Sequence, residues 1–483
     1  MLQETPLGQV DLSTFDPEKP TFWVSPDGRH AAYLTEKGIV IDGQASPDYE
    51  YGVKPESFTF SPDSRRTAYT AIMLRERRDE VLVLDGVASE TGYSSIGAGP
   101  VFSPDSQHVG MIARLNASSF DEVPVIDGRE GEPHEDFSWE STFTPDSKRF
   151  VYAVRINEQY VMREDSVDGG APRIERDHGP AVLTGNFFYG PERQIGYVAK
   201  AADGKVFVVY NGQEDTHRFE EIQYIRISAD GKHIAYVAEP KSFRHVVVAN
   251  GTRGRVYEDL EVDTLDISPD GQHWGYVVEK RRKYLTVMDG QEQPPYDGVT
   301  GPVYSPDSQR WAYLAVSNGK VISVVNGKAG KAYDDRGLPV FSPDSKSAAF
   351  WAKAGDRTFV VHNGQKQKDY DDVGTPVFSP DSQRLAYLAK QGERWLMVDA
   401  GRPGKLYDDV KGKFYFSPDS RHLAMIVYYQ DQEMVVVNGV EGTRYDSVVT
   451  LGGVAKIHFD GDGKFHYLAT KGNELFLVEE SLE

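Results

Sequence analysis

The sequence Val377-Phe-Ser-Pro-Asp-Ser-Gln-Arg-Leu-Ala-Tyr-Leu-Ala-Lys390 decides the fold, because most of the chain repeats it. Two apolar runs flank Ser-Pro-Asp-Ser, a set of turn residues in which proline fixes φ and the aspartate accepts a backbone N–H. The pattern predicts a strand, a tight turn and a second strand. A third apolar run at residues 395–398 ends where sister copies carry Asn-Gly, a favoured hairpin dipeptide, and a fourth short strand follows at residues 406–407.

This unit recurs along the chain at a regular spacing. The prolines Pro306, Pro343 and Pro380 are each 37 residues apart. Further copies of Ser-Pro-Asp or Thr-Pro-Asp have their prolines at Pro26, Pro62, Pro104, Pro145, Pro269 and Pro418, and degenerate copies follow Phe188, Ile227 and Phe459. A four-stranded sheet of under forty residues cannot bury both of its faces alone. Twelve copies at this period therefore predict an all-β fold, a β-propeller of twelve four-stranded blades.

The phrase Phe-Ser-Pro-Asp-Ser-x-x-x-Ala-Tyr, present at residues 60–69 and 378–387, resembles the WD-like blade of TolB-type propellers. The resemblance extends from about Thr21 to the end of the chain. It implies a propeller architecture more than an activity, since related blades also occur in prolyl-oligopeptidase-like enzymes and in many bacterial proteins. It also implies an extracytoplasmic location, periplasmic or secreted, while a cytoplasmic location stays open.

The number of rings is the harder question. The last copy supplies only three strands, and Gln9-Val-Asp-Leu-Ser-Thr-Phe15 alternates apolar and polar residues. We therefore expect residues 9–15, within an N-terminal segment 1–20, to complete the final blade and remove an open sheet edge. The connectors between copies six and seven are as short as elsewhere, which favours one continuous twelve-bladed ring over residues 21–483. The alternative is two six-bladed propellers that divide near residues 228/229.

Composition limits the partners of this chain. Its formal net charge of −21 disfavours nucleic acid, whose phosphates would be repelled. The absence of cysteine excludes disulfides, thiolate catalysis and cysteine-ligated metals. No apolar window approaches the twenty residues that a membrane-spanning helix needs, so we expect no membrane insertion.

Tyr-Asp-Asp or a variant of it ends the fourth strand of many copies, on one face of the predicted propeller. An arc of carboxylates there would attract a protein or peptide partner with basic residues. The alternative is that each aspartate caps its own connector by accepting backbone N–H groups, while basic runs at residues 75–78 and 280–283 neutralise nearby charges. The candidate partner-binding residues are Asp259, Asp297, Asp334, Asp335, Asp371, Asp372, Asp408, Asp409 and Asp446.

No motif for catalysis is visible in the sequence. There is no Gly-x-Ser-x-Gly elbow, phosphate-binding loop or metalloprotease helix. We therefore expect no catalytic residues, no metal and no cofactor, and a non-enzymatic scaffold that binds a protein or peptide through the loop face or a central channel. The alternative is a propeller enzyme, such as a polysaccharide lyase, glycosidase or peptide-processing enzyme, with its site in that channel. The oligomeric state is not indicated.

Overall fold

The computed structural model describes residues 2–482 apart from 11–20, 75–77, 98, 117–120, 135–136, 157–158, 170–172, 175–187, 190–193, 452–453, 456 and 462. Across these residues the chain is built of antiparallel strands, with one short 3-10 helix at Pro55–Ser57. Twelve sheets form a twelve-bladed β-propeller, which confirms the fold that the repeat predicted. None of the helices in the described part is long and apolar enough to cross a membrane.

The first four blades follow one another along the chain, and in some blades the first strand is broken into two short segments that pair with the same neighbour. Blade 1 comprises Phe22–Val24, Ala31–Leu34, Ile39–Ile41 and Gln44–Ala45; blade 2 comprises Thr59–Phe60, Thr67–Leu74, Arg78–Leu84 and Val87–Ala88; blade 3 comprises Ser95–Ile96, Val101–Phe102, Val109–Arg114, Glu122–Ile126 and Arg129–Glu130; blade 4 comprises Phe137–Phe143, Arg149–Ile156, Gln159–Ser166 and Arg173–Ile174.

Blades 5 to 8 continue the same strand order. Blade 5 comprises Phe188–Tyr189, Ile195–Lys200, Val206–Tyr210 and Gln213–Glu214; blade 6 comprises Glu221–Ile227, Ile234–Lys241, Arg244–Ala249 and Thr252–Tyr257; blade 7 comprises Asp259–Ile267, Trp274–Lys280, Lys283–Met288 and Gln291–Glu292; blade 8 comprises Gly298–Val299, Val303–Tyr304, Trp311–Ser317, Lys320–Val325 and Lys328–Tyr333.

Blades 9 to 11 repeat the pattern, and blade 12 receives a strand from the N-terminal segment. Blade 9 comprises Asp335–Arg336, Val340–Phe341, Ala348–Ala354, Arg357–His362 and Gln365–Lys366; blade 10 comprises Asp372–Val373, Val377–Phe378, Leu385–Gln391, Arg394–Asp399 and Arg402–Tyr407; blade 11 comprises Asp409–Phe416, Leu423–Tyr429, Gln432–Val437 and Val440–Tyr445; blade 12 comprises Ser447–Val448, His458–Gly461, Lys464–Lys471, Glu474–Ser481 and Leu2–Gln9. A separate small hairpin pairs Thr450–Leu451 with Val454–Ala455.

The chain divides into two compact units. The first, residues 1–187, 199–202 and 444–483, contains blades 1 to 4 and blade 12. The second, residues 188–198 and 203–443, contains blades 6 to 10 and most of blades 5 and 11. The predicted division into an N-terminal segment and a propeller stays a prediction.

The final blade is completed by the N-terminal segment, but not by the residues that the sequence suggested. The closing strand is Leu2–Gln9, which pairs antiparallel with Glu474–Ser481, whereas the expected strand at residues 9–15 falls mostly on 11–20, outside the described residues. Pro6 and Gly8 made the true segment look unlike a strand. At the sheet edge a proline is tolerated because one side of the strand has no partner, and Gly8 occupies a bulge with a φ of 113°.

The Ser-Pro-Asp turn satisfies its own polar groups. In blade 8, the Ser305 hydroxyl donates to Asp307 at 2.6 Å and accepts the N–H of Arg310 at 2.9 Å. The same carboxylate accepts the N–H of Gln309 at 3.0 Å. These hydrogen bonds, led by that from Ser305, lower the pKa of Asp307, so the aspartate stabilises the turn as its ionised form.

In several blades, the next residue of the motif is a serine that links its blade to the one before it. Ser345 has a left-handed φ of 60°, is 5% exposed, and accepts the N–H of Asp307 from blade 8 at 2.9 Å. Seven such bonds of 2.9–3.1 Å join described residues, and we call this set the serine ladder: Asp27–Ser64, Asp63–Ser106, Asp105–Ser147, Asp270–Ser308, Asp307–Ser345, Asp344–Ser382 and Asp381–Ser420.

Aromatic rings and small residues fill the space between blades. Ala312 and Tyr313 are fully buried. The tyrosine that ends one blade packs edge-on against the ring in the second strand of the next, as Tyr370 does against Tyr387 at a centroid distance of 6.5 Å and an angle of 74°. The tyrosine of Tyr-Asp-Asp is thus a spacer between sheets, and it positions the two aspartates that follow it.

Candidate functional site

The first aspartate of each Tyr-Asp-Asp is occupied by neighbouring groups. Asp334 forms an ion pair with Lys320 and accepts the N–H of Gly355, in the hairpin of the following blade, at 2.7 Å. The hydrogen bond from Lys320, followed by that from Gly355, lowers the pKa of Asp334. The same two kinds of contact hold Asp297 (Lys283 and Asn318), Asp371 (Arg357 and Gly392) and Asp408 (Arg394 and Gln430).

The first aspartates therefore connect blades and carry largely compensated charge. Asp446, in the first unit, likewise accepts the N–H of Gly472 at 2.6 Å. The basic run at 280–283 contributes to this compensation, because Lys280 pairs with Glu292 at 3.0 Å and Lys283 with Asp297. The run at 75–78 lies largely outside the described residues.

The second aspartate is different. Asp335, Asp372 and Asp409 are exposed, and each side chain accepts only the N–H of the residue after it, at 2.8 Å. Asp259 is exposed at the equivalent position in blade 7. Over the described chain, none of the four makes an ion pair within 4.0 Å of a basic side chain. We call Asp259, Asp335, Asp372 and Asp409, which begin the first strands of four blades of the second unit, the carboxylate row.

Arg336, next to Asp335, was not singled out by the sequence. It is 3% exposed, and its guanidinium carbon lies 3.5 Å from the centroid of the Phe350 ring. Its Nε and Nη2 atoms are buried, and neither has a hydrogen-bond partner in the part of the chain that the structure describes. Burial lowers the pKa of Arg336 to about 10, so it stays protonated at neutral pH. Alignment of the repeats would have found it, because other blades carry apolar residues at this position.

A second buried polar cluster lies in the first unit, between blades 3 and 4. The Tyr152 hydroxyl donates to Asp165 at 2.7 Å, and Arg163 donates to Glu132 at 2.7 Å. Arg163 and Asp165 are each 8% exposed, and Asp165 Oδ1, Arg163 Nε and His134 Nε2 have no hydrogen-bond partner among the described residues. Burial raises the pKa of Asp165 and lowers that of His134, so both neutral forms are favoured.

Two departures from the repeat build this blade 3–4 cluster. Arg163 pairs with Tyr152 at a position where ten other blades have valine, and His134 takes the place of the spacer tyrosine. The ten valines are Val40, Val83, Val125, Val248, Val287, Val324, Val361, Val398, Val436 and Val478. Within the described part of the chain, no three His, Asp or Glu side chains are grouped so that they could hold a metal ion.

No protein-family model matches the sequence, and no curated protein matches it. Among solved structures, the chain is similar to a eukaryotic initiation factor, with 15% identity, 71% of this chain and 94% of that chain covered, and a TM-score of 0.35. It is also similar to the Dos1 propeller, with 8% identity, coverage of 71% and 92%, and a TM-score of 0.30. An oligogalacturonate lyase in complex with manganese has 10% identity, coverage of 80% and 96%, and a TM-score of 0.26. At these scores and identities, nothing about the function of this chain follows from the similarity.

Proposed function

We propose that this chain is a non-enzymatic scaffold that binds a protein or peptide with basic side chains along the carboxylate row. The observation that carries the proposal is the contrast within Tyr-Asp-Asp. The first aspartate is compensated by a basic side chain of its own blade, whereas Asp335, Asp372 and Asp409 have no basic partner among the described residues. Repeated, exposed and unpaired carboxylates attract cations by long-range electrostatics.

The repeat spacing also favours an extended ligand. Equivalent carboxylates recur once per blade on successive blades 9, 10 and 11, so lysine or arginine side chains spaced along a peptide could each meet one of them. The resemblance of the blade to TolB-type propellers supports a binding role outside the cytoplasm. Cell fractionation of the host would test that location.

The direct test is a binding measurement with a fluorescein-labelled peptide of alternating lysine and serine, followed by anisotropy. The triple variant Asp335→Asn, Asp372→Asn, Asp409→Asn removes three carboxylates of the row. Each exposed pair contributes about 0.5–1 kcal/mol, so affinity should fall about 10- to 100-fold, and the salt dependence of binding should weaken.

A matched control separates the row from the overall acidity of the protein. The variant Asp263→Asn, Asp356→Asn, Glu393→Gln neutralises three exposed carboxylates in the same unit and changes the net charge by the same amount. It should bind the peptide almost as tightly as the wild-type chain. Equal losses in the two triple variants would show that binding is non-specific, and the proposal would be abandoned.

The blade 3–4 cluster supports a second candidate function, a propeller enzyme acting on polysaccharide or peptide. Catalytic acids and bases often have pKa values shifted by burial, as Asp165 and His134 do. Incubation with polysaccharide and peptide panels, with Asp165→Asn and His134→Gln as comparisons, tests it. Turnover that persists unchanged in both variants, or that is absent from the wild-type chain, removes this cluster as an active site.

A further inference from the structure

Arg336 departs from a pattern that eight other blades share. It follows Asp335 in the first strand of blade 9 and pairs with Ala352, two residues after the Phe350 ring of the second strand. Eight other blades have a branched apolar residue at this position: Val53, Ile96, Ile222, Leu260, Val299, Val373, Val410 and Val448. A guanidinium in place of such a side chain brings a charge into a site built for an apolar group.

The surroundings hold the guanidinium but do not neutralise it. Phe350 lies 3.5 Å and Tyr333 5.8 Å from its central carbon, measured to the ring centroids. Phe350 itself departs from the repeat, because it replaces the tyrosine found at Tyr313 and Tyr387. Stacking on a ring stabilises a cation and fixes its plane, but it leaves the N–H donors in that plane unsatisfied.

Two other arginines stacked on phenylalanine in this unit have partners for their N–H groups. Arg310, with its guanidinium carbon 4.7 Å from the centroid of Phe341, donates to the Ser345 carbonyl. Arg384, 5.1 Å from Phe416, pairs with Asp399 at 2.5 Å. Over the described residues, Arg336 makes neither kind of bond through Nε or Nη2, and buried charges without partners are rare and costly.

The positions of the two unpaired nitrogens of Arg336 indicate the kind of group that could bind them. Nε and Nη2 share one edge of the guanidinium, and their N–H groups point the same way. This edge matches the two oxygens of a carboxylate in a bidentate pair, which is stronger and more directional than a single bond. Leu338, two residues along the chain, is 37% exposed, so the site lies near the surface of the unit.

We propose that the Nε–Nη2 edge of Arg336 is a binding site for a carboxylate, supplied by the C-terminus or an acidic side chain of a peptide. Because both nitrogens are buried, the side chains around that edge must move aside for a carboxylate to reach it. Only one part of this inference rests on the proposed function, namely that the carboxylate belongs to a peptide. A peptide whose lysines meet the carboxylate row would bring its own carboxylates to blade 9, where Arg336 is the neighbour of Asp335 in the chain.

The first experiment uses the full chain and a small probe, so its outcome is independent of the carboxylate row. N-acetylglycine models a peptide C-terminus, and N-acetylglycinamide is its uncharged counterpart. The acid should raise the Tm of the wild-type chain in a saturable way at constant ionic strength, and the amide should not. Arg336→Val and Arg336→Lys should lose the response, because lysine lacks the two-donor edge, whereas Arg310→Lys should retain it.

Two results would overturn the proposal. One is an equal Tm response in Arg336→Lys and the wild-type chain, which would place binding elsewhere. The other is a larger response to inorganic phosphate than to N-acetylglycine, which would assign the site to a different anion. Neither result bears on the lysine-serine peptide test, so the two proposals fail separately.

The stability of the unliganded protein gives a second, independent measurement. Arg336→Val restores the apolar residue of the repeat and removes an unpaired buried charge. If Arg336 is retained for a ligand, this variant should have a higher Tm than the wild-type chain without ligand. A lower Tm in both Arg336→Val and Arg336→Met would show that the arginine is a packing residue, and it would overturn the proposal.

Discussion

The serine ladder makes a quantitative prediction about what holds the blades together. Ser345→Ala removes the hydroxyl that accepts the Asp307 N–H at 2.9 Å and leaves the backbone contacts of residue 345 in place. The site is 5% exposed, so little water can replace the lost acceptor. An unsatisfied buried donor costs about 1–3 kcal/mol, and we expect Ser345→Ala to lower the free energy of unfolding by about 1–2 kcal/mol.

Glycine at position 345 should lower the free energy of unfolding less than alanine does. Ser345 has a φ of 60°, where a side chain is unfavourable by about 1–2 kcal/mol relative to glycine. Ser345→Gly loses the same hydrogen bond but gains this relief, so it should be more stable than Ser345→Ala by about 1 kcal/mol. We therefore expect the free energy of unfolding to fall in the order wild type, Ser345→Gly, Ser345→Ala. This order separates the contribution of the hydrogen bond from the strain of a side chain at positive φ.

Urea unfolding followed by tryptophan fluorescence measures both variants. Ser317→Ala is the control, because the Ser317 hydroxyl makes no hydrogen bond to any described residue and the change should stay within about 0.5 kcal/mol. If Ser345→Ala were no less stable than Ser317→Ala, the hydrogen bonds of the serine ladder would not contribute to stability, and the prediction would be wrong.

Three further predictions test the electrostatics and packing. The hydrogen bond from Ser305 lowers the pKa of Asp307, so the ionised aspartate stabilises the fold at pH values above its unfolded pKa. In urea titrations, Asp307→Asn should therefore have a lower free energy of unfolding than the wild-type chain at pH 7, and this difference should disappear as the pH falls through the folded pKa. Burial raises the pKa of Asp165, so its ionised form opposes folding. Asp165→Asn should therefore be at least as stable as the wild-type chain at pH 7, and any gain in the free energy of unfolding should shrink as the pH is lowered. At Gly271, where φ is 68°, an added Cβ would lie 2.2 Å from the Cβ of His233, so Gly271→Ala should lower the free energy of unfolding by at least about 2 kcal/mol in thermal denaturation. His233→Gly, which removes that Cβ, should recover part of this loss.

The sequence predicted the features that depend on short-range physics. Turn residues, positive-φ hairpins and alternating apolar strands act within a few residues, so one copy such as residues 377–407 was enough to find them. At Asn326-Gly327, for example, both residues have positive φ, and Asn326 accepts the N–H of Trp311 at 2.9 Å. The blade count followed because the same local pattern recurs.

Features that depend on contacts between distant residues were harder to predict. The closing strand was placed at residues 9–15 because alternation is a local signal, whereas the fit of Leu2–Gln9 depends on Glu474–Ser481. The acidic arc was treated as one set, since nothing in Tyr-Asp-Asp distinguishes its two aspartates. The distinction comes from Lys320 and Gly355, which reach Asp334 but not Asp335.

Most departures from the repeat are compensated by a partner. Where the ladder serine is glycine, a side chain from the preceding blade fills the space, as His233 does beside Gly271 and Gln194 beside Gly231. Such pairs keep the contact between blades while the residues change, and they need no functional explanation. Arg336 is compensated only in part, by Phe350, because two of its donors stay unpaired. In a repeat protein, an uncompensated departure reduces stability without a packing gain, and this criterion identifies the positions where a ligand should be sought.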